Sequence, residues 1–268
     1  MGTTQSNETL MCNEPRDDGV YYYARFESRP FAHGACRHAY KGTLACNSDK
    51  INKAQYNGSL VVIKVFKKEY AKDYGAFNAE ISASKTASEY ATLFNAQRLI
   101  DKSLYFPIPY VAKMDKRAVN LILGFIPDES SMSENPVGSN EYVAMEEYLH
   151  GDYIKFNSNN GYVNDDVDSS DMSTFSHWTY HKSNGKLLVC DLQGVLNNNA
   201  YRLTDPAIHS KVKYTYGATD CGLDGQAKFF ETHKCNKICR YWKKFLPTRD
   251  VANRASKIQS SRHTTFFR

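Results

Sequence analysis

The sequence predicts an α+β fold of two lobes, and three observations lead to this prediction. The first half reads as strands interrupted by one amphipathic helix. A polar, turn-rich stretch from Asp128 to Asn140 follows it, and three metal-ligand side chains lie within seven residues near the end of the chain. At 268 residues, the chain has the mass for one large domain or two modest lobes with a proper core.

The first half carries a lysine inside an apolar strand. The run from Leu60 to Phe66 follows the turn pair Asn57-Gly58 and predicts a buried strand that closes a hairpin. Lys64 interrupts this run, so it either snorkels to a sheet edge or points at an anionic ligand. Residues 74–95 show helical spacing, with Glu80 near the start. In protein kinases, a strand lysine and a helix glutamate form the ion pair that orients the phosphate-binding ammonium.

The second half brings carboxylates to the ends of predicted strands. Residues 119–125 and 142–149 are strand-like, and residues 175–181 and 186–190 predict a second hairpin around Ser183-Asn184-Gly185. Its far strand runs into Asp191-Leu192-Gln193-Gly194, which is either a Mg²⁺ or nucleophile site or a polar turn. Asp205 offers a second carboxylate. The glycine-rich residues 217–225 precede a helix and predict either an anion site or an ordinary connection.

The heptapeptide HKCNKIC supplies His233, Cys235 and Cys239, which are three good zinc ligands. On one helix, Cys235 and Cys239 would share a face, whereas His233 would lie roughly 200° round from Cys235. The three fit one metal only if a helix begins or breaks near His233. A structural zinc site then needs a fourth ligand from elsewhere in the chain. The alternative is a free thiol pair beside a surface histidine.

Composition limits the cellular setting. No run of about 18 apolar residues spans a bilayer, and the first twenty residues lack the pattern of a signal peptide, which favours a reducing, cytoplasmic compartment. Seven widely spread cysteines fit free thiols plus a metal site better than a disulfide framework. A net charge of +5 decides nothing about nucleic acid, and no nucleic-acid-binding motif accompanies it.

The two ends of the chain predict a weak membrane association. The opening Met1-Gly2-Thr3-Thr4-Gln5-Ser6 matches the pattern for N-myristoylation of Gly2, and one such chain anchors stably only with a second signal. The tail from Arg240 to Arg268, with eight Lys or Arg against the single acid Asp250, offers that signal. The alternative is a solvated tail.

Several motifs in one order resemble the alpha-kinase family, the atypical protein kinases that include myosin-heavy-chain kinases, elongation-factor-2 kinase and channel-kinases. The resemblance spans roughly Phe26 to Trp242. Its carriers are PFAHGACRHAY, VVIKVF, MEEYLHGDYIKFNSNNGYV, FSHWTYHKSNGKLLVCDLQGV, LTDPAIHS, the glycine segment and THKCNKIC.

The resemblance implies a role for each candidate residue. It implies a two-lobed, protein-kinase-like fold of the alpha-kinase type, whose C-terminal lobe holds a structural zinc with His177 as the fourth ligand. It assigns Lys64 to the ATP phosphates with Glu80 as its ion-pair partner, and Glu146 and Glu147 to the adenine. It assigns Asp191, Gln193, Asp205 and Lys64 to catalysis, and Asp191, Gln193 and Asp205 also to the Mg²⁺ site. Which aspartate acts as the base stays open, as does a phospho-aspartyl intermediate.

The resemblance also implies a domain organisation and an activity. Residues 1–19 are expected to be flexible, residues 20–144 and 145–245 to form the two lobes, and residues 246–268 to be a flexible basic tail. The expected activity is transfer of the γ-phosphoryl of Mg-ATP to a serine or threonine of an unidentified protein substrate. The alternatives are a nucleotide-binding pseudokinase and a zinc-stabilised interaction module. One departure is the linker from Val195 to Arg202, which is longer than the family pattern and leaves the placement of Asp205 uncertain.

Overall fold

The computed structural model describes residues 6–11, 15–27, 29–34, 36–46, 48–67, 77–116, 141–197, 200–260 and 265–266. These residues form two compact units. The first lies within residues 1–77, 109–148 and 263–268, and the second within residues 78–108 and 149–262. In chain order the elements are β1 Ser6–Met11, β2 Tyr23–Glu27, β3 Ala32–His33, β4 Arg37–Ala45, β5 Leu60–Phe66, α1 Asn78–Ala96, β6 Ser103–Tyr105, β7 Tyr110–Lys116, β8 Tyr142–Glu147, β9 Tyr153–Lys155, α2 Ser170–Lys182, β10 Leu187–Cys190, β11 Gln193–Asn197, β12 Ala200–Thr204, β13 Ala207–Ser210, α3 Gly222–Thr232, α4 Arg249–Ala255 and β14 Thr265–Phe266.

The first unit is a sheet that closes on itself. Its strand order is β14-β3-β4-β2-β1-β7-β8-β5, and β5 also pairs with β4, so six strands form a ring. Apolar side chains such as Tyr40, Ile63 and Met145 fill its core. The predicted strands at residues 60–66 and 142–149 are confirmed, whereas residues 119–125 lie outside the described residues. Because β5 has a partner on each side, Lys64 does not lie on a sheet edge.

The second unit packs helices against two small sheets. A four-stranded sheet has the order β6-β12-β11-β9, and β10 pairs with β13. The core between them is aromatic: Phe94 on α1 meets both Phe175 and Trp178 on α2 edge-to-face, with ring centroids 5.3 Å apart in each pair. The predicted helix at residues 74–95 is observed as α1, and it belongs to this unit rather than to the N-terminal lobe.

The prediction of a strand at residues 175–181 is wrong, because these residues lie in α2. Every residue from Thr174 to Tyr180 is buried, including the polar Ser176 and His177, so the segment has no exposed polar face that would have revealed a helical period. Periodicity cannot distinguish a fully buried helix from a buried strand over so short a run. The other half of the predicted hairpin, residues 186–190, is a strand, and β13 is its partner.

The chain ends also differ from the expected flexible segments. Residues 6–11 form β1, which pairs with both β2 and β7. In the tail, α4 is capped by the Thr248 side chain and buries Val251 and Ala255 beside Ala227 of α3. Val251 and Ala255 are four residues apart, so they lie on the same face of α4. Their contact with α3 fixes this part of the basic tail to the second unit. Gly2 lies outside the described residues.

The long linker from Val195 to Arg202 is a β-hairpin rather than a loose loop. Gln193 pairs with Thr204 and Asn197 with Ala200, so the extra residues are taken up by strand pairing between β11 and β12. Among the described helices, none combines the length and apolar character that a membrane span requires.

Candidate active site and metal-binding cluster

In the first unit, a buried ion pair joins the ammonium of Lys64 on β5 to the carboxylate of Glu146 on β8. Each residue is 6% exposed. A buried charge needs a partner of opposite sign, and the strand register provides one because Val62, two residues from Lys64, lies opposite Glu146. Glu147 at the end of β8 is exposed. Glu80 lies in the first turn of α1, and its pairing with Lys64 stays a prediction.

In the second unit, a buried lysine holds the predicted catalytic aspartate. The Lys155 Nζ atom lies 2.6 Å from Asp191 Oδ1 and 3.3 Å from Gln193 Oε1. Strand pairing brings them together, because Lys155 on β9 lies directly opposite Gln193 on β11. Lys155 is 4% exposed, and the Asp191 side chain keeps 16% of its surface accessible. The ammonium therefore fixes the carboxylate and the amide side by side, with the carboxylate facing partly outward.

The backbone around Asp191 is held in a sharp turn. Asp191 has a φ of 58°, in the left-handed region that most non-glycine residues avoid. Asn157 secures the next residue, because its side-chain oxygen accepts a hydrogen bond from the Leu192 N–H at 2.9 Å. The Leu192 carbonyl in turn accepts one from the Phe156 N–H at 2.9 Å. These hydrogen bonds hold residues 156, 157 and 192 together next to Asp191.

The β11–β12 hairpin places Asp205 beside the same turn. Gln193 is opposite Thr204, so the next residue, Asp205, lies alongside residues 191–193 of the opposite strand. Asp205 also has a left-handed φ, of 52°. The strands approach so closely at Gly194 that a Cβ atom there would lie 2.0 Å from the Arg202 carbonyl oxygen. The glycine of DLQG is therefore required by the hairpin that brings the two aspartates to the same end.

The glycine segment at residues 217–225 is organised around a buried carboxylate. Asp220 accepts hydrogen bonds from the backbone N–H groups of Ser210 at 3.0 Å and Gly222 at 2.8 Å, and from the Ser210 hydroxyl at 2.8 Å. His209 Nε2 donates to the Asn159 carbonyl at 2.8 Å, and its Nδ1 accepts from the Cys221 N–H at 3.1 Å. The Asp220 carboxylate therefore already accepts a hydrogen bond from an N–H at the start of α3. This favours the interpretation of the glycine segment as a connection over its interpretation as an anion site.

The four predicted zinc ligands form one cluster. The ligand atoms of His177, His233, Cys235 and Cys239 all lie within 4.8 Å of one another. His177 lies on α2, and His233 is the residue at which α3 ends, with extended backbone angles. The predicted helix break at His233 is therefore confirmed. Cys235 and Cys239 lie in the following irregular segment and turn rather than on a helix.

Two separations in this cluster match those expected around a tetrahedral zinc, and the separation of the two histidines is shorter. His177 Nδ1 lies 3.0 Å from His233 Nε2 and 3.8 Å from Cys235 Sγ, and Cys239 Sγ lies 3.6 Å from His233 Nε2. Zinc–ligand bonds of about 2.0–2.3 Å give ligand separations of about 3.3–3.8 Å. The other nitrogen of His177, Nε2, donates to the Lys243 carbonyl at 3.0 Å, so its Nδ1 presents a lone pair to the cluster.

The protonation of the cluster suits metal binding at the histidines. Burial lowers the pKa of His233 to about 4, and the nearby His177 and Lys244 act in the same direction. Burial also lowers the pKa of His177. Both imidazoles are therefore neutral at physiological pH, as a metal ligand must be. Burial raises the pKa of the Cys239 thiol, so a cation is needed to stabilise its thiolate.

The structure adds two residues to which the sequence assigned no role, Lys155 and Asn157. Lys155 carries the same signal as Lys64, because both are lysines between strand-forming apolar residues. The pairing of β9 with β11, which gives Lys155 its role, joins residues 38 positions apart and has no local signature.

Comparison with known proteins identifies the class of domain. The solved alpha kinase from Entamoeba histolytica matches with a TM-score of 0.66 at 24% identity, covering 91% of this chain and 93% of that one. The alpha-kinase domain of myosin-II heavy chain kinase A in complex with AMP-PNP matches with a TM-score of 0.64 at 23% identity, covering 92% and 99%. The fold is therefore that of alpha-kinase domains.

The sequence comparisons establish the family. The profile of the Alpha-kinase family matches residues 32–239. Alpha-protein kinase vwkA of Dictyostelium discoideum is 34% identical over 79% of this chain and 30% of its own length. Human eukaryotic elongation factor 2 kinase is 43% identical over 35% of this chain and 13% of its own. The chain belongs to the alpha-kinase family, and it spans less than a third of these relatives' length.

Proposed function

We propose that the chain is an ATP-dependent serine/threonine protein kinase that transfers the γ-phosphoryl group of Mg-ATP to a protein hydroxyl. The observation that carries the proposal is the contact of Lys155 with both Asp191 and Gln193. Membership of the alpha-kinase family supports it. Further support comes from myosin heavy chain kinase A, whose alpha-kinase domain has been solved in complexes with ADP and ATP.

In the first unit, Lys64 would bind the phosphates. The Lys64 ammonium lies in the closed sheet and contacts the Glu146 carboxylate. This contact limits the positions that the ammonium can adopt. An ammonium held in this way neutralises phosphate charge without a cost of ordering during the reaction. Glu146 and Glu147 at the end of β8 would lie near the adenine, as the family resemblance implies.

In the second unit, Asp191, Gln193 and Asp205 would hold Mg²⁺, for which oxygen ligands are suited. Bound Mg²⁺ would neutralise charge on the transferred phosphoryl group. Lys155 contacts both Asp191 and Gln193, and the pairing of Gln193 with Thr204 puts Asp191 and Asp205 at the same end of the β11–β12 hairpin. One of these two aspartates would also accept the proton of the substrate hydroxyl. Catalysis would rest on alignment and electrostatics more than on covalent chemistry.

His177, His233, Cys235 and Cys239 would hold a structural Zn²⁺. Four protein ligands leave such an ion no open position, so the cluster would stabilise the second unit without entering the chemistry. We also propose a reducing cytoplasmic location, because seven widely spread cysteines fit free thiols plus a metal site better than a disulfide framework.

Phosphoryl transfer from [γ-³²P]ATP to a basic protein and to the chain itself tests the proposal. Wild type and Asp191→Ala would be compared at matched zinc content and with verified folding. We expect transfer by wild type and at least about a 10²-fold loss in the variant. A folded, zinc-loaded wild type that binds ATP without transfer would be a pseudokinase, and one that binds no nucleotide would be an interaction module.

A further inference from the structure

An exposed basic loop leaves the second unit directly after β13. It consists of Lys211, Val212, Lys213 and Tyr214, and all four residues are exposed. Val212 is 71% exposed and Tyr214 is 61% exposed, which places both among the most exposed large apolar side chains of the described residues. Tyrosine is enriched at protein interfaces, and the positive charge of the two lysines is complementary to an acidic partner.

The basic loop is fixed rather than loosely tethered. The Val212 carbonyl accepts hydrogen bonds from the Ser210 hydroxyl at 2.6 Å and from the Thr215 hydroxyl at 2.6 Å. The Tyr214 N–H donates to the Asp220 carbonyl at 3.2 Å. A Cβ atom on Gly222 would lie 3.1 Å from the Lys213 Cβ, so the glycine at the start of α3 allows the loop to lie against it.

Tyr214 is held in an unfavourable backbone conformation while its side chain faces solvent. Its φ of 70° lies in the left-handed region, which disfavours an aromatic residue. Packing of the ring does not explain this strain, because the ring is mostly exposed. Such strain persists where the surrounding hydrogen bonds over-determine the turn, and it is concentrated at ligand-binding segments.

The loop offers positive charge together with an aromatic face. Lys213 Nζ lies 4.9 Å from the centroid of the Tyr214 ring. Among the described residues, neither Lys211 nor Lys213 forms an ion pair. Asp224 acts on Lys213 electrostatically, but its carboxylate is paired with Arg254 at 2.9–3.0 Å. A carboxylate or phosphate on a partner would supply the missing negative charge.

The strand register sets how far the loop lies from Asp191. Cys190, next to Asp191, pairs with Ala207, whereas Leu187 pairs with Ser210. At about 3.3 Å per residue, β13 carries the chain about 10 Å from the Asp191 end before the loop begins. An extended substrate covers a similar distance per residue, so the loop would meet residues roughly three to six positions from the one being phosphorylated.

We propose that Lys211, Val212, Lys213 and Tyr214 form a specificity subsite that recognises an acidic residue of the protein substrate three to six positions from the phosphorylated hydroxyl. This proposal rests on the proposed kinase function. The two lysines would bind the acidic side chain, and the Tyr214 ring would pack against the substrate residue next to it. Because these charges are exposed, the preference would weaken as ionic strength rises.

A peptide scan tests the subsite. A neutral serine peptide would be varied by placing one glutamate at each position from six before to six after the serine, with lysine at the same positions as the comparison. For each peptide, kcat/KM for phosphoryl transfer and Kd by fluorescence anisotropy in the presence of AMP-PNP would be measured. The proteins are wild type, the double variant Lys211→Glu/Lys213→Glu, Tyr214→Gly and the control Lys257→Glu, which reverses an exposed lysine outside the loop.

We expect glutamate at one of the distal positions to raise kcat/KM and lower Kd at least fivefold for wild type and Lys257→Glu. The double variant should reverse the preference to lysine while its rate on the neutral peptide stays within twofold. Tyr214→Gly, which keeps the left-handed turn, should lose part of the preference. Equal rates and affinities for all peptides in an active wild type would overturn the subsite and leave the kinase proposal standing. If no peptide is phosphorylated, the anisotropy series would still decide whether the loop selects acidic peptides, and transfer to the basic protein and to the chain itself would decide the kinase proposal.

Discussion

Replacing Cys239 by serine tests the role of the metal-binding cluster in stability. Cys239 is fully buried, and its sulfur lies 3.6 Å from His233 Nε2. The cluster joins α2, through His177, to the turn after α3. A bound ion therefore closes a loop of about 60 residues, and the chain-entropy relation for such a cross-link gives about 4 kcal/mol.

A loss of this size is a large fraction of the total stability. The free energy of unfolding of natural domains is about 5–15 kcal/mol. For a chain of this length, each kcal/mol corresponds to about 2–4 °C in Tm. We therefore expect Cys239→Ser to lose its zinc and to unfold about 8–16 °C below wild type.

The assay combines zinc content by mass spectrometry with thermal and urea unfolding. The matched control is Cys221→Ser, since Cys221 belongs to the same unit but lies outside the cluster. A strong chelator should bring the Tm of wild type close to that of Cys239→Ser and leave the variant unchanged. Full zinc content in the variant, together with a Tm within 2 °C of wild type, would refute the reasoning.

Three further predictions concern the second unit. Gly194→Ala should lower the free energy of unfolding by about 2–4 kcal/mol, because the new methyl group overlaps the Arg202 carbonyl. The control Gly58→Ala, whose Cβ would contact nothing within 4 Å, should lower it by only about 1 kcal/mol. Urea unfolding of both variants separates the steric overlap from the backbone strain. Lys155→Met should reduce kcat for phosphoryl transfer by about 10²-fold at unchanged zinc content, and an equal rate to that of the exposed-lysine control Lys182→Met would contradict the orienting role. Burial lowers the pKa of His209 below its ordinary 6.5, so the unfolded chain binds the proton more tightly and stability falls as pH drops below about 6.5. Urea unfolding at pH 7.5 and 5.5 should show a smaller loss of unfolding free energy for His209→Gln than for wild type. Equal losses in the two proteins would exclude this contribution.

The strand that carries Lys64 and the group of His233, Cys235 and Cys239 are predictable from the sequence because their signals are local. The β-branched run at β5 follows a turn pair, and the histidine at the end of α3 lies within seven residues of two cysteines. Local spacing is sufficient in both cases because period and ligand chemistry act between near neighbours. The family motifs added His177, which lies 56 residues before His233, as the fourth candidate ligand.

The α2 helix and the ordered tail were not predictable in the same way. In α2, burial on every side removes the alternation that periodicity needs. In the tail, α4 is stabilised by Val251 and Ala255 against α3, a contact that its basic composition conceals.

The sequence by itself determined the family and predicted the candidate residues for catalysis and metal binding, because residue types and their order carry that information. Only the tertiary structure decided which charges meet. Lys155 reaches Asp191 through the pairing of β9 with β11, and Lys64 meets Glu146 through the pairing of β5 with β8. Ion pairs between distant strands depend on register, and register is fixed by the packing of the whole sheet rather than by any local segment.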